Sequence, residues 1–240
     1  MQVDQQTLII GAGGGIGQAI STRLARRGHA LVLAGRTSES LSDAASAIGG
    51  ETAVLDATDF DAVDAIFDTH RGITGVVNLA GSILLRPAHM TSAADFDDTI
   101  NQNLRTAFAV VRSAGRHMRS TGGSVVLMST CAAQIGLPNH EAIAAAKAGI
   151  DGLVRSAAAT YASSGLRFNA IAPGLVDTPL AARIVGNEAA LKASMSMHPL
   201  GRIGTPDDIA QAIEFLLAPS SSWMTGQIIG VDGGLATIKS

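Results

Sequence analysis

The chain has 240 residues, 47% of them hydrophobic and 15% charged, with a net charge of −3. That length suits one domain burying about 70% or more of its unfolded surface, and the charge offers no basic field to nucleic acid. Cys131 is the only cysteine, which excludes an intramolecular disulfide and a cysteine metal cluster; with no run approaching a membrane span and no leader-like start, a cytoplasmic protein without metal or membrane partner is expected.

The apolar run Thr7-Leu8-Ile9-Ile10 leads into Gly11-Ala12-Gly13-Gly14-Gly15-Ile16-Gly17, and Ile16, Ala19, Ile20, Leu24 and Ala25 then recur with the spacing of one helix face. Strand, glycine turn and helix is the reading. A dinucleotide pyrophosphate needs backbone N–H groups at the positive end of a helix with no Cβ atoms in the way, and glycines at this point supply that.

Gly28 reads as the glycine that ends this helix, and Ala30 to Ala34 as a second strand closing on Gly35-Arg36-Thr37. The acidic residue that would hold the ribose hydroxyls of NAD is missing there, whereas Arg36 can pair with a 2′-phosphate. NADP(H) is therefore favoured, with NAD(H) possible. A helix from about Ser40 to Ile48, a strand Thr52–Leu55 ending in Asp56-Ala57-Thr58, a helix from Asp59 to His70 and a fourth strand from Gly75 to Gly81 follow. Asp95 to Met118 is one long helical pattern, Gly123 to Thr130 a fifth strand, and Pro138-Asn139 start a helix that runs to about Ser163. Arg167–Gly174 and Gly226–Gly234 supply the last two strands, with helical stretches at Leu180–Met197, interrupted by Gly186, and at Pro206–Leu217. The alternation predicts an α/β chain: one domain over 1–240, a Rossmann-like doubly wound sheet of seven parallel strands, with ligand at their carboxyl ends.

Gly11-x-x-x-Gly15-x-Gly17, Asn78-x-Ala80-Gly81, Asn103, Lys147 and Pro173-Gly174 stand in the order of the short-chain dehydrogenase/reductase family, which the chain resembles over nearly its whole length. The resemblance implies hydride transfer between a nicotinamide and a carbonyl or activated double bond of a small molecule. It implies that the turn from Gly11 to Gly17, including Gly13, Gly14 and Ile16, holds the cofactor, that Asp56 and Ala57 meet the adenine, and that Asn78 ties neighbouring strands while Ala80 and Gly81 lie against the nucleotide. Pro173, Gly174, Val176 and Thr178 would contact its nicotinamide end. Lys147 would bridge the ribose hydroxyls, beside a water held by Asn103, with Asn101 as the rival. Residues 180–200 would form a substrate lid, with Ile184, Leu191, Met195 and Met197 either lining an apolar pocket or serving core and interface. The helices of Asn103 and Lys147 would join subunits into a homodimer or homotetramer.

One element departs from the family. Its proton donor is a tyrosine four residues before the lysine, and here that position is Ile143; the partner serine is Thr130, and the only tyrosine, Tyr161, lies well beyond Lys147. His140, seven residues before Lys147, shares its helix face and stands where the family's divergent enoyl reductases carry their tyrosine; as a neutral imidazole at a helix start it would polarise an oxygen. Three readings compete: an oxidoreductase using His140, Thr130 or a water on Lys147 and Asn103; reduction of an activated C=C or C=N bond; or a nucleotide-binding sensor or partner subunit without catalysis.

Overall fold

A computed structural model describes residues 5–238. Seven parallel strands form one sheet in the order β3-β2-β1-β4-β5-β6-β7, where β1 is Gln6–Ile10, β2 Ala30–Gly35, β3 Glu51–Val54, β4 Ile73–Asn78, β5 Gly123–Met128, β6 Leu166–Pro173 and β7 Ile228–Val231. Alternation along the strands feeds two cores. Leu8, Ile10, Val76, Val125 and Leu127 point to one face with Val63, Phe67, Val110, Ile150 and Val154. Ile9, Val77, Val126 and Met128 point to the other with Ile20, Leu24, Leu41, Ile209 and Ile213. The first layer is helices α3 (Phe60–Thr69), α4 (Ala93–Ile100), α5 (Thr106–His117) and α6 (Glu141–Tyr161); the second is α1 (Gly15–Arg26), α2 (Ser38–Ile48) and, past α7 (Ala182–Val185) and α8 (Glu188–Met197), α9 (Pro206–Leu217). Strand order reverses at β1, which pairs with β2 on one side and β4 on the other. That reversal opens a crevice at the carboxyl ends of the strands.

Two helices differ from expectation in ways that shape the crevice. The pattern from Asp95 to Met118 is not one regular helix, because a wide π-type turn over Asn101–Arg105 separates α4 from α5. Asn103 Nδ2 donates to the Thr99 carbonyl at 2.9 Å, the acceptor that the regular ladder would use, and such competition loosens a helix locally. The α6 helix begins at Glu141 rather than at Pro138-Asn139. Asn139 has φ +64°, a left-handed conformation that cannot enter a helix, so His140 occupies the N-cap without a side-chain cap bond.

Candidate active site

The glycine turn is built by close approach. Gly11 has φ +85°, and a Cβ on it would stand 3.1 Å from the Leu79 carbonyl carbon; this glycine lets the end of β1 lie against the end of β4. A Cβ on Gly17 would lie 2.4 Å from Gly11 O, so the first turn of α1 folds over the loop only with glycine there. No acidic side chain stands in that first turn and no side chain caps it, which leaves its N–H groups available to an anion.

Facing this turn is a cavity of about 300 Å³. Gly11, Gly14, Gly15, Ile16 and Gly17 line one end, and Gly81, Asn103, Thr130, His140, Ile143 and Lys147 the other, with Pro173, Gly174, Val176 and Thr178 beside them. The crevice thus gathers residues from Gly11 to Leu235, nearly the whole length of the chain.

Lys147 is buried, and its Nζ donates to the Met128 carbonyl at 2.8 Å. Burial pushes its ammonium down to about 8, partly offset by the Asp151 carboxylate one helix turn on. Asp151 itself is held above the usual carboxylate range, burial being the main cause, and its Oδ1 lacks a hydrogen-bond partner, as does Ser129 Oγ. A Cβ on Gly81 would meet Asn103 Oδ1 at 2.7 Å and Lys147 Nζ at 3.5 Å; the bare glycine lets these two side chains share one corner. Asn101 is exposed and lines a separate surface groove, so of the two candidates only Asn103 enters the cavity.

Thr130 Oγ accepts from Ala132 N at 3.3 Å, which leaves its own proton free to donate. His140 differs from expectation. Its Nδ1 lies 2.7 Å from the Pro138 carbonyl, and a carbonyl only accepts, so Nδ1 carries the proton and the neutral ring presents a bare Nε2. Only the doubly protonated ring can donate from Nε2. Ile143, buried, turns an apolar side chain into the cavity, whereas Tyr161 sits against Phe168 in the core, with ring centroids 5.6 Å apart.

Other expected residues lie outside the cavity. Gly13 packs against Ser40. Asn78 lies between Ile10 of β1 and Leu127 of β5, and its Oδ1 accepts from Ala80 N at 3.1 Å, closing the turn after β4. Asp56 accepts from the backbone and hydroxyl of Thr58, holding its carboxyl below the usual range, and Ala57 is buried behind it. Arg36 is exposed and joins none of the ion pairs among the described residues. In the segment after β6, Ile184 and Met197 reach the cavity, but Leu191 and Met195 do not.

Three contributors were given no role by the sequence reading. His198 is buried and bridges two elements: Nδ1 donates to Ser194 O at 2.6 Å, and Nε2 accepts from Leu175 N at 3.2 Å. The Pro199-Leu200-Gly201 turn that follows was its one signal. Ile83 and Leu85, after Gly81, line the mouth; two apolar residues in a loop had no periodicity to mark them.

A glycine turn at the switch point, with a buried lysine and asparagine facing it, defines a Rossmann-type dinucleotide-binding fold. The family profile described as Enoyl-(Acyl carrier protein) reductase matches residues 11–236. The chain is 36% identical to cis-4-hydroxycyclohexanecarboxylate dehydrogenase of Sinomonas cyclohexanicum, covering 98% of each. It superposes on the crystal structure of levodione reductase with a TM-score of 0.94 at 31% identity, covering 99% of both chains, and on "ElxO with NADP Bound" with 0.91 at 26%, covering 98% of this chain and 100% of that one. The chain belongs to the short-chain dehydrogenase/reductase family of oxidoreductases, whose members bind NAD(P)(H) and act on small molecules. No helix among the described residues is long and apolar enough to cross a membrane.

Proposed function

We propose that this chain is an NADP(H)-dependent reductase of a small-molecule carbonyl or activated double bond, working with an altered proton donor. The observation that carries this reading is the convergence of Lys147, Asn103, Thr130 and His140 on the cavity that the glycine turn closes. The open N–H groups at Gly15 to Gly17 fit a pyrophosphate, the unpaired Arg36 at the end of β2 fits a 2′-phosphate, and the Lys147 ammonium fits ribose hydroxyls. When bound, the nicotinamide supplies the hydride. Thr130, whose proton is free, holds the substrate oxygen; the proton comes from His140 in its imidazolium form, or from water held at Lys147 and Asn103. Residues 180–200 act as the lid, and the small-residue face of α6 (Ala145, Ala148, Gly152) together with Phe108 joins copies into a homodimer or homotetramer in the cytoplasm.

The test is turnover with NADPH across ketone, enone and imine substrates. Thr130→Ala and His140→Ala are expected to lower it by about 10²–10⁴-fold; unchanged rates in both remove these assignments. A second reading, nucleotide binding without catalysis, is favoured by one observation: the two groups nearest the donor role are Ile143, which has no proton to give, and a His140 whose neutral-form proton is engaged by Pro138. It predicts NADPH binding with no substrate reduced. Ile143→Tyr separates the two, because ketone reduction gained by that variant alone marks the native chain as the binding form.

A further inference from the structure

Among the described residues, Lys147 is the only charged side chain that lines the cavity, with one of its three N–H donors going to the Met128 carbonyl. The hydroxyl of Thr130 and the ring of His140 share the lining with Lys147, and Ile83 and Leu85 from the loop after β4, Leu137 from the loop after β5, Ile143 from α6, and Leu180 and Ile184 from the segment after β6 give it aliphatic walls. Ile83, Leu85 and Leu180 are also 41%, 42% and 56% exposed, so the mouth itself is apolar and wet. Two arginines adjoin lining residues in sequence: Arg86 is held by Asp95 at 2.6 Å, and Arg183 is exposed and does not line the cavity.

We infer that the substrate is an uncharged, largely apolar molecule carrying a single reducible polar function, and that carboxylate and phosphate substrates are turned away. The inference rests on the reductase reading for the word substrate, but the selectivity follows from the lining alone. A polar end meets Thr130 and His140. The remainder displaces water from aliphatic walls. An anion against these aliphatic walls leaves bulk water and finds no cation besides Lys147 among the described lining residues, and a buried charge short of partners is costly.

A matched pair of probes tests this: 4-methylcyclohexanone and 4-oxocyclohexanecarboxylate differ in replacing a methyl with a carboxylate. Their binding is measured by calorimetry with and without saturating NADPH. The neutral ketone is expected to bind about tenfold tighter or better in both conditions. Equal binding, tighter binding of the acid, or no binding of either ketone overturns the inference. Leu85→Arg, which adds a cation at the exposed rim, is expected to raise affinity for the acid about tenfold; no gain for the acid also counts against it. Failure of NADPH to bind strikes the cofactor reading only, since the preference is read in its absence too.

Discussion

The two ends of the cavity obey different physics. The glycine end is backbone held by backbone: a Cβ on Gly17 would overlap two carbonyl oxygens of its own turn, Gly11 O at 2.4 Å and Ala12 O at 2.6 Å, so this end tolerates almost no change. The end bounded by α6 and the segment after β6 is side chain against side chain, with exposed Leu180 and Met197 at its rim. It accommodates replacements such as isoleucine at 143 without altering the fold. The contrast teaches that nucleotide recognition here is a property of the fold, while the chemistry done on it is a property of a few exchangeable side chains.

The largest expected effect comes from breaking the rigid end. Gly17→Ala forces a methyl onto the Gly11 carbonyl and should cost about 2–4 kcal/mol of stability as well as NADPH binding, read by thermal melts with and without nucleotide. A variant that keeps both would mean the turn is soft and the contrast false.

Lys147→Met should separate the two kinds of contribution. Losing a charged hydrogen-bond donor to the ribose is expected to weaken NADPH about 10–100-fold, while the nucleotide-free melting temperature holds or rises because a desolvated ammonium has been removed. A fall in that melting temperature would assign the lysine to the core instead. Arg36→Ala is expected to act on the phosphate alone, weakening NADPH about tenfold and NADH little, by fluorescence titration of both; equal weakening ends the preference for NADP(H).

His198→Ala acts on the softer end. It leaves Leu175 N–H without its acceptor and unties α8 from the loop after β6, for about 1–3 kcal/mol. Hydrogen exchange should rise in residues 179–197 and not in the glycine turn.

The same division decides what the sequence could reveal. The strands, the glycine turn and Pro206–Leu217 were legible because apolar runs, clustered glycines and a proline at a helix start are all local signals. Asn103 and Lys147 were found by their places in a family pattern. The π-type turn at Asn101–Arg105 was not legible, because its cause is a side chain bonding to Thr99 within the helix. The direction of the His140 proton depends on a carbonyl freed by the left-handed Asn139, and the role of His198 on a partner 23 residues away.

The smallest predicted effect is on pH, and it asks whether α6 tunes its lysine. Burial lowers Lys147 to about 8 in the folded chain against 10.5 for a free lysine, so the unfolded chain binds more protons between those values. Stability without nucleotide should therefore rise from about pH 8 to 10.5, and Lys147→Met should flatten that rise in urea titrations. NADPH affinity should move oppositely, falling as pH passes about 8, because the ammonium is the form that donates to the sugar. Asp151 supports that ammonium; Asp151→Asn removes the support and should shift the fall in affinity to lower pH, whereas an unmoved midpoint would show that burial alone sets the lysine.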